Sequence, residues 1–402
     1  MRIHPLFLIS GIGLLSPATL FAQASGHGHA QGATPGLEVG VVIAPVWQSA
    51  EQSLSHREKG LSLGHSDLSL DARFGPGLRA RLSAAAHSDH SRIETGIEEA
   101  FIEASLPGAL QVRGGRFLSQ VGYLNEQHAH ADDFALRPAA YRAFLGDHYF
   151  DDGLRLNWVA PTPIYWRLGA ELLRGRQLPT EHTGSSLGAW SLGTRLGGDL
   201  GAGASWQAGL SSLRHRNGAA GMTGESVHHA EHHEGHHHDE AEHDHDSHAH
   251  RHQHGAVFFG QRMDVFDLVW KWAPDGNARA RQLRLSAEYL RVSRGEQSHG
   301  AAGRHSGWYL SAVYRFMPQW ETGVRFDRVN AMALHEDGLE PARLLERSLM
   351  LAWKPSHSRA VRLQWTQQRD RGGFADAVSV APAHAVHLQF VQSLGAHGAH
   401  SY

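Results

Sequence analysis

The chain has 402 residues, no cysteine, 33 histidines and a formal net charge of -3. Without cysteine there is no disulfide, no CxxC redox site, no thiolate metal ligation and no cysteine nucleophile. Lysine is confined to Lys59, Lys271 and Lys354, and no basic cluster of the kind nucleic acid requires is present.

Residues 1–24 read as a secretory signal. Arg2 gives the positive start, residues 6–20 an apolar run too short to span as a helix, and Ala22-Gln23-Ala24 a cleavage site. A flexible, His-bearing segment, 25–35, follows. No later stretch reaches 18 consecutive apolar residues; period-2 alternation recurs instead. Leu283, Leu285, Ala287 and Tyr289 oppose Arg284, Ser286 and Glu288, and Trp320, Thr322, Val324 and Phe326 oppose Glu321, Arg325 and Asp327.

One apolar and one polar face per strand fits a soluble β-sandwich or barrel with the apolar face inside. It equally fits a transmembrane barrel with that face against lipid. Segments near ten residues long, Trp and Tyr near their ends, and charge on many polar faces favour the membrane version. The expected fold is therefore all-β, a transmembrane antiparallel barrel over 36–402 with about 16 strands, in a range of 14–18. The strands fall near 36–45, 64–73, 78–87, 93–105, 108–117, 151–160, 163–173, 187–198, 202–214, 257–272, 279–293, 305–317, 319–328, 343–354, 358–370 and 383–394. Connections after even-numbered strands are short, as at Gly75-Pro76-Gly77 and Pro274-Asp275-Gly276, and those after odd-numbered strands mostly long and polar. Outer-membrane barrels show this asymmetry, with long loops outward, so the expected location is a Gram-negative outer membrane among its lipids. Tyr402 supplies the aromatic terminus that the barrel-assembly machinery reads.

Two long connections carry chemistry. Residues 118–150 hold Tyr123, Phe134, Tyr141, Phe144, Tyr149 and Phe150, enough aromatic mass to fold into the lumen and narrow it. Within this stretch His128, His130 and Asp132, with Asp133 beside them, have the residue types of a zinc site with an open position. The plainer reading is that these groups only hydrogen-bond the loop to lumen arginines. The second connection, 215–256, contains His228, His229, His232, His233, His236, His237, His238, His243, His245, His248, His250, His252 and His254. Neutral imidazole is the commonest protein ligand for zinc, copper and nickel, so these residues are candidate metal ligands in an outward loop expected to be disordered. Arg113, Arg137, Arg142, Arg167, Arg284, Arg315, Arg325 and Arg362 are candidate pore-lining cations. Glu99, Glu103, Glu171, Glu288, Glu321 and Asp327 nearly balance them, leaving cross-lumen salt bridges as an equal reading.

No enzyme is expected: G-x-S-x-G is absent, and His232-His233-Glu234 lacks the second histidine of HExxH. No cofactor is required, and zinc or another divalent transition metal is the expected ligand.

The runs Gly115-Arg116-Phe117, Gly122-Tyr123-Leu124-Asn125-Glu126-Gln127-His128-Ala129-His130, Tyr141-Arg142-Ala143-Phe144-Leu145-Gly146 and Asp151-Asp152-Gly153-Leu154 carry a resemblance, as does the closing Ser393-Leu394-Gly395-Ala396-His397-Gly398-Ala399-His400. They resemble a proteobacterial family of porin-like outer-membrane proteins that is similar to the phosphate-selective porins. Its members often bear His-rich loops, and some go under the name of zinc-regulated or TonB-dependent receptors. In that family a tryptophan follows H-A-H-x, where this chain has Asp132. A true TonB-dependent receptor needs a plug and about 22 strands, more than 402 residues accommodate. The resemblance implies a monomeric or homotrimeric porin. The expected function is a channel for small solutes linked to zinc or a similar metal. The alternatives are a barrel that sequesters metal without conducting, and a general porin whose His loop is incidental.

Overall fold

A computed structural model describes residues 35–55, 57–89, 92–176, 178, 187–216, 221–222, 258–293, 305–335, 338–371, 374 and 383–395. The expected signal peptide, the segment before Pro35, the 228–254 tract with all its histidines, and Tyr402 lie outside the described residues.

Sixteen antiparallel strands close into one barrel. They are β1 (Gly36–Ile43 and Val46–Gln48), β2 (Gly60–Ser62 and Ser66–Arg73), β3 (Leu78–Asp89), β4 (Arg92–Leu106), β5 (Leu110–Leu118), β6 (Phe150–Val159), β7 (Tyr165–Leu173) and β8 (Ala189–Leu200). Then come β9 (Ala204–His215), β10 (Arg262–Trp272), β11 (Gln282–Ser293), β12 (His305–Met317), β13 (Trp320–His335), β14 (Gly338–Ser356), β15 (Arg359–Arg371) and β16 (Ala383–Gly395). Each strand pairs with its sequence neighbour, and β1 closes the ring on β16 through Gly40↔Gly395 to Ile43↔Gln392. Closure leaves no open edge, the condition for crossing a bilayer with strands.

The alternation read from the sequence becomes an inside-out barrel. Leu154, Leu168, Leu210, Phe266, Leu310, Phe326 and Leu363 point outward and stay exposed, while Glu103, Arg113, Glu171, Ser286, Glu288, Arg325 and Gln364 are buried inside. An apolar outer wall is stable only against lipid. Trp158, Trp166, Trp272 and Trp353 sit at the short-turn ends of their strands, as an interfacial girdle requires.

Two connections differ from expectation. Instead of a long polar loop over 329–342, β13 and β14 continue as a ladder from Val329↔Leu344 to His335↔Gly338. Val329, Ala331, Ala342 and Leu344 face inward onto an apolar cluster, which rewards the added pairing. Residues 258–261, expected in the tenth strand, do not belong to β10: Phe258–Phe259 pairs with Gly221–Met222 in a separate two-strand ribbon.

Residues 119–149 turn into the barrel. Their one α-helix, α1 (Ala139–Leu145), follows Pro138 and stops at Gly146, whose left-handed φ of 57° suits glycine. Every residue of α1 is buried. Tyr141, Phe144 and Leu145 pack with Leu173, Leu213, Met263, Val265, Leu290 and Val292, inward residues at the loop ends of their strands. Gly307 lets α1 approach β12, since a Cβ there would stand 2.7 Å from Ala140 Cβ.

Candidate functional site

The chain entering the barrel after β5 is fastened first by Glu288. Its carboxylate accepts the backbone N–H groups of Tyr123 and Leu124 (2.8 and 3.0 Å) and the hydroxyls of Tyr141 and Tyr309 (2.9 and 2.8 Å). Gly122, at φ 76°, permits this approach: a Cβ there would lie 2.4 Å from Glu288 Oε2. The loop then divides its polar contacts between two walls of the lumen.

Over most of the lumen, and above all along β11–β14, arginines meet carboxylates. Arg137 pairs with Asp132 (2.8 Å), Arg142 with Glu346, Arg284 with Asp133, Arg167 with Glu126 (2.7 Å), and Arg325 with both Asp327 and Glu346 (2.8 Å each). Arg325 also donates to the carbonyls of Leu136 and Arg137, and Ala139 N donates to Asp327. Nearer the short turns, Arg113 pairs with Glu103 and Arg315 with Glu321. Arg362 donates to Gln389 Oε1 and to the His130 carbonyl. A small cavity lies between the loop and this wall, lined by Tyr123, Asp132, Asp133, Arg284, Tyr309 and Arg325 among others.

On the opposite wall the same loop meets histidines and carboxylates. β1 is interrupted at Ala44-Pro45 and β2 at 63–65. Gly64 fits the break at φ 63°, where a Cβ would collide with the Ala44 carbonyl oxygen at 2.0 Å. At the end of the break and just below it, His65, Asp67 and Ser69 are buried in the lumen. Between β3 and β4 the register slips: Ser83 faces Glu99 but Ala84 faces Ile97. The extra residue is Glu98, so this bulge turns two successive carboxylates, Glu98 and Glu99, into the lumen.

The loop brings His128, His130 and His148 to these groups. His128 Nε2 lies 3.0 Å from Glu99, which also holds Arg81 at 2.8 Å. Its Nδ1 lies 3.6 Å from Glu98 Oε2, and His65 Nε2 reaches that same oxygen at 3.3 Å. His148 Nε2 holds Glu98 Oε1 at 2.9 Å, and His130 Nδ1 stands 2.7 Å from Asp67. The imidazoles of His128 and His130 stack with centroids 5.6 Å apart. Burial opposes a charged His128, yet its hydrogen bonds to Glu98 and Glu99 push it up to about 10. Burial dominates at His130 and holds it down to about 4, despite Asp67.

Of the four loop candidates, then, His128 and His130 come together on the histidine wall, while Asp132 and Asp133 are engaged by Arg137 and Arg284. A different group, His65, Asp67 and His128, brings one potential metal-ligand atom from each residue within 4.8 Å of the others. His65 and Asp67 carry a sequence signal that the reading above does not use: in 65–71, His65, Asp67, Ser69 and Asp71 alternate with Ser66, Leu68 and Leu70. Glu98 carries none, because the bulge breaks the alternation.

No family model matches the chain. An uncharacterised protein of Aquifex aeolicus is 26% identical over 379 residues, spanning 86% of this chain and 71% of that protein. Among solved structures, OmpT of Vibrio cholerae in its trimer form superposes with a TM-score of 0.56 at 9% identity, covering 90% of this chain and all (100%) of that one. OprB of Pseudomonas putida gives 0.56 at 13% identity over 90% and 94% of the two chains. An anion-selective porin from Comamonas acidovorans gives 0.54 at 11% identity over 90% and 100%. These likenesses show the fold. The chain has the fold of a porin-like transmembrane β-barrel.

Proposed function

We propose that the protein is an outer-membrane channel for small solutes that handles a divalent transition metal such as zinc, and that it belongs with the His-rich, zinc-associated porin-like proteins it resembles. The carrying observation is where the histidines meet: His65, His128, His130 and His148 converge with Asp67, Glu98 and Glu99 at the edge of the loop that narrows a polar lumen. A general porin needs no such cluster. In this reading the 228–254 tract raises the metal concentration at the mouth, and the cluster meets the ion inside. The test measures planar-bilayer conductance and zinc flux into proteoliposomes, for the whole chain and for one lacking 228–254. Conduction with zinc entry, reduced by the deletion, is expected; unchanged zinc flux removes the tract from the mechanism.

A second reading is a barrel that sequesters metal without conducting. The apolar cluster of Tyr141, Phe144, Leu145, Met263, Val265 and Leu290, which fills the loop end of the barrel, favours it. Absence of conductance at every zinc concentration would establish this alternative. The trimer form of the Vibrio cholerae protein makes a homotrimer the assembly to test by native mass.

A further inference from the structure

We propose that His65, Asp67 and His128, completed by Glu98, form a divalent-metal centre that fastens the constriction loop to the barrel wall. The proposal rests on the metal half of the reading above and adds a location, a donor set and a mechanical role.

Four observations carry it. The donors come from separate parts of the chain: His65 and Asp67 from β2, Glu98 from the bulge of β4, and His128 from the loop. An ion held among them therefore joins wall to loop. Next, the donor atoms are buried and already face one another's groups: His65 Nε2 and His128 Nδ1 both face Glu98 Oε2, and Asp67 Oδ2 faces His130 Nδ1. Third, spacing suits an ion. Donors about 2.1 Å from a tetrahedral zinc stand about 3.4 Å from one another; Glu98 Oε2 lies 3.3 Å from His65 Nε2 and 3.6 Å from His128 Nδ1. Asp67 completes the set: the His65, Asp67 and His128 donors lie within 4.8 Å of one another, at most about 1.4 Å beyond that spacing. Fourth, the carboxylates are themselves oriented from behind, Asp67 by His130 and Glu98 by His148. Metal sites commonly use such outer partners to fix ligand direction.

Two imidazoles with two carboxylates select zinc, cobalt, nickel or copper over magnesium and calcium, which prefer all-oxygen shells. The role follows from position. Without metal, the loop is held on this wall by contacts between imidazoles and carboxylates; with metal, coordinate bonds replace them and the 124–132 segment is pinned.

The experiment is amide hydrogen exchange on the full-length protein in detergent, with zinc ions alone, with magnesium ions alone, or with chelator. Zinc should slow exchange in 124–132 and magnesium should not. His65→Ala and Asp67→Asn should each remove that protection, while a full-length variant with the 228–254 histidines changed to serine should retain it. Asp67→Asn preserves shape and serves where His65→Ala fails to fold. By chelator competition in the serine-tract background, Asp67→Asn should lower zinc affinity at least roughly tenfold, the low end for losing even an orienting partner. Zinc that leaves 124–132 unprotected, or protection that survives both substitutions, overturns the centre and leaves imidazole–carboxylate packing in its place. Bilayer conductance of the metal-free protein separates the two proposals. A barrel that conducts without zinc protection loses the centre but keeps the channel, and one that shows the protection without conducting keeps the centre and loses the channel.

Discussion

The two walls that grip the constriction loop use the same acids with different bases. On the β11–β14 side, Asp132, Asp133, Asp327 and Glu346 face guanidinium groups, which stay charged at every working pH and bind no metal. On the β2–β4 side, Asp67, Glu98 and Glu99 face imidazoles, which unlike guanidinium can give up a proton and accept metal in its place. One side is a permanent clamp and the other a conditional one. A loop held only by arginines would have a fixed aperture. A loop held by both can be tightened by an ion on one side while the other keeps it in register.

The comparison breaks most visibly at Arg325. It is almost fully buried and binds Asp327, Glu346 and two loop carbonyls, so Arg325→Ala leaves two buried carboxylates short of their cation. Removing one partner of a buried pair costs about 3–5 kcal/mol. Denaturant titration should show that loss with and without zinc; a loss that zinc restores would mean the walls are not independent. Next in size, zinc at a hundredfold excess over its Kd should stabilise the wild-type fold by about 2.7 kcal/mol, and Asp67→Asn by much less, read from the same titration. Glu98→Gln, which disturbs both His65 and His148, should weaken zinc binding roughly 10–100-fold with little change in metal-free stability. A larger metal-free loss would assign Glu98 to structure alone.

The smallest effect is a pH dependence at the Glu126 contacts. Glu126 is desolvated, yet Arg167 and Arg195 outweigh that and hold it below the usual carboxylate range. A depressed folded-state value adds stability above the ordinary 4.5 and loses it as the pH falls below that. Residues 122–128 should therefore open more readily at pH 3 than at pH 6, after correction for intrinsic exchange. Glu126→Gln should reduce the difference, and a Glu126→Gln protein that keeps all of it would place the acid sensitivity elsewhere.

Much of the barrel was legible because lipid outside and water inside enforce strict alternation: Leu283 to Tyr289 and Trp320 to Asp327 assign themselves residue by residue. Turn chemistry at Gly75-Pro76-Gly77 and Pro274-Asp275-Gly276 set the strand count. The extension of β13 and β14 was not legible, because Ala331 and Ala342 pair only by virtue of packing beneath α1, a contact remote in sequence. At the candidate site, spacing within the loop drew Asp132 together with His128 and His130, but the three-dimensional partner of Asp132 is Arg137. The acids that face the loop histidines arrive from β2 and β4, about 30 to 60 residues upstream, and no local pattern links them.

The bulge that admits Glu98 has a consequence for how such chemistry is gained or lost. Because β4 carries one residue more than β3 at that point, deleting Glu98 restores uninterrupted pleating, with Ser83 facing Glu99 and Ala84 facing Ile97 as before. Few insertions into a membrane strand can be tolerated, since one residue inverts every side chain beyond it. Here the inversion is absorbed at the spot where it occurs. A single codon therefore separates a barrel with this carboxylate in its lumen from one without it, with the pairing of every other strand untouched.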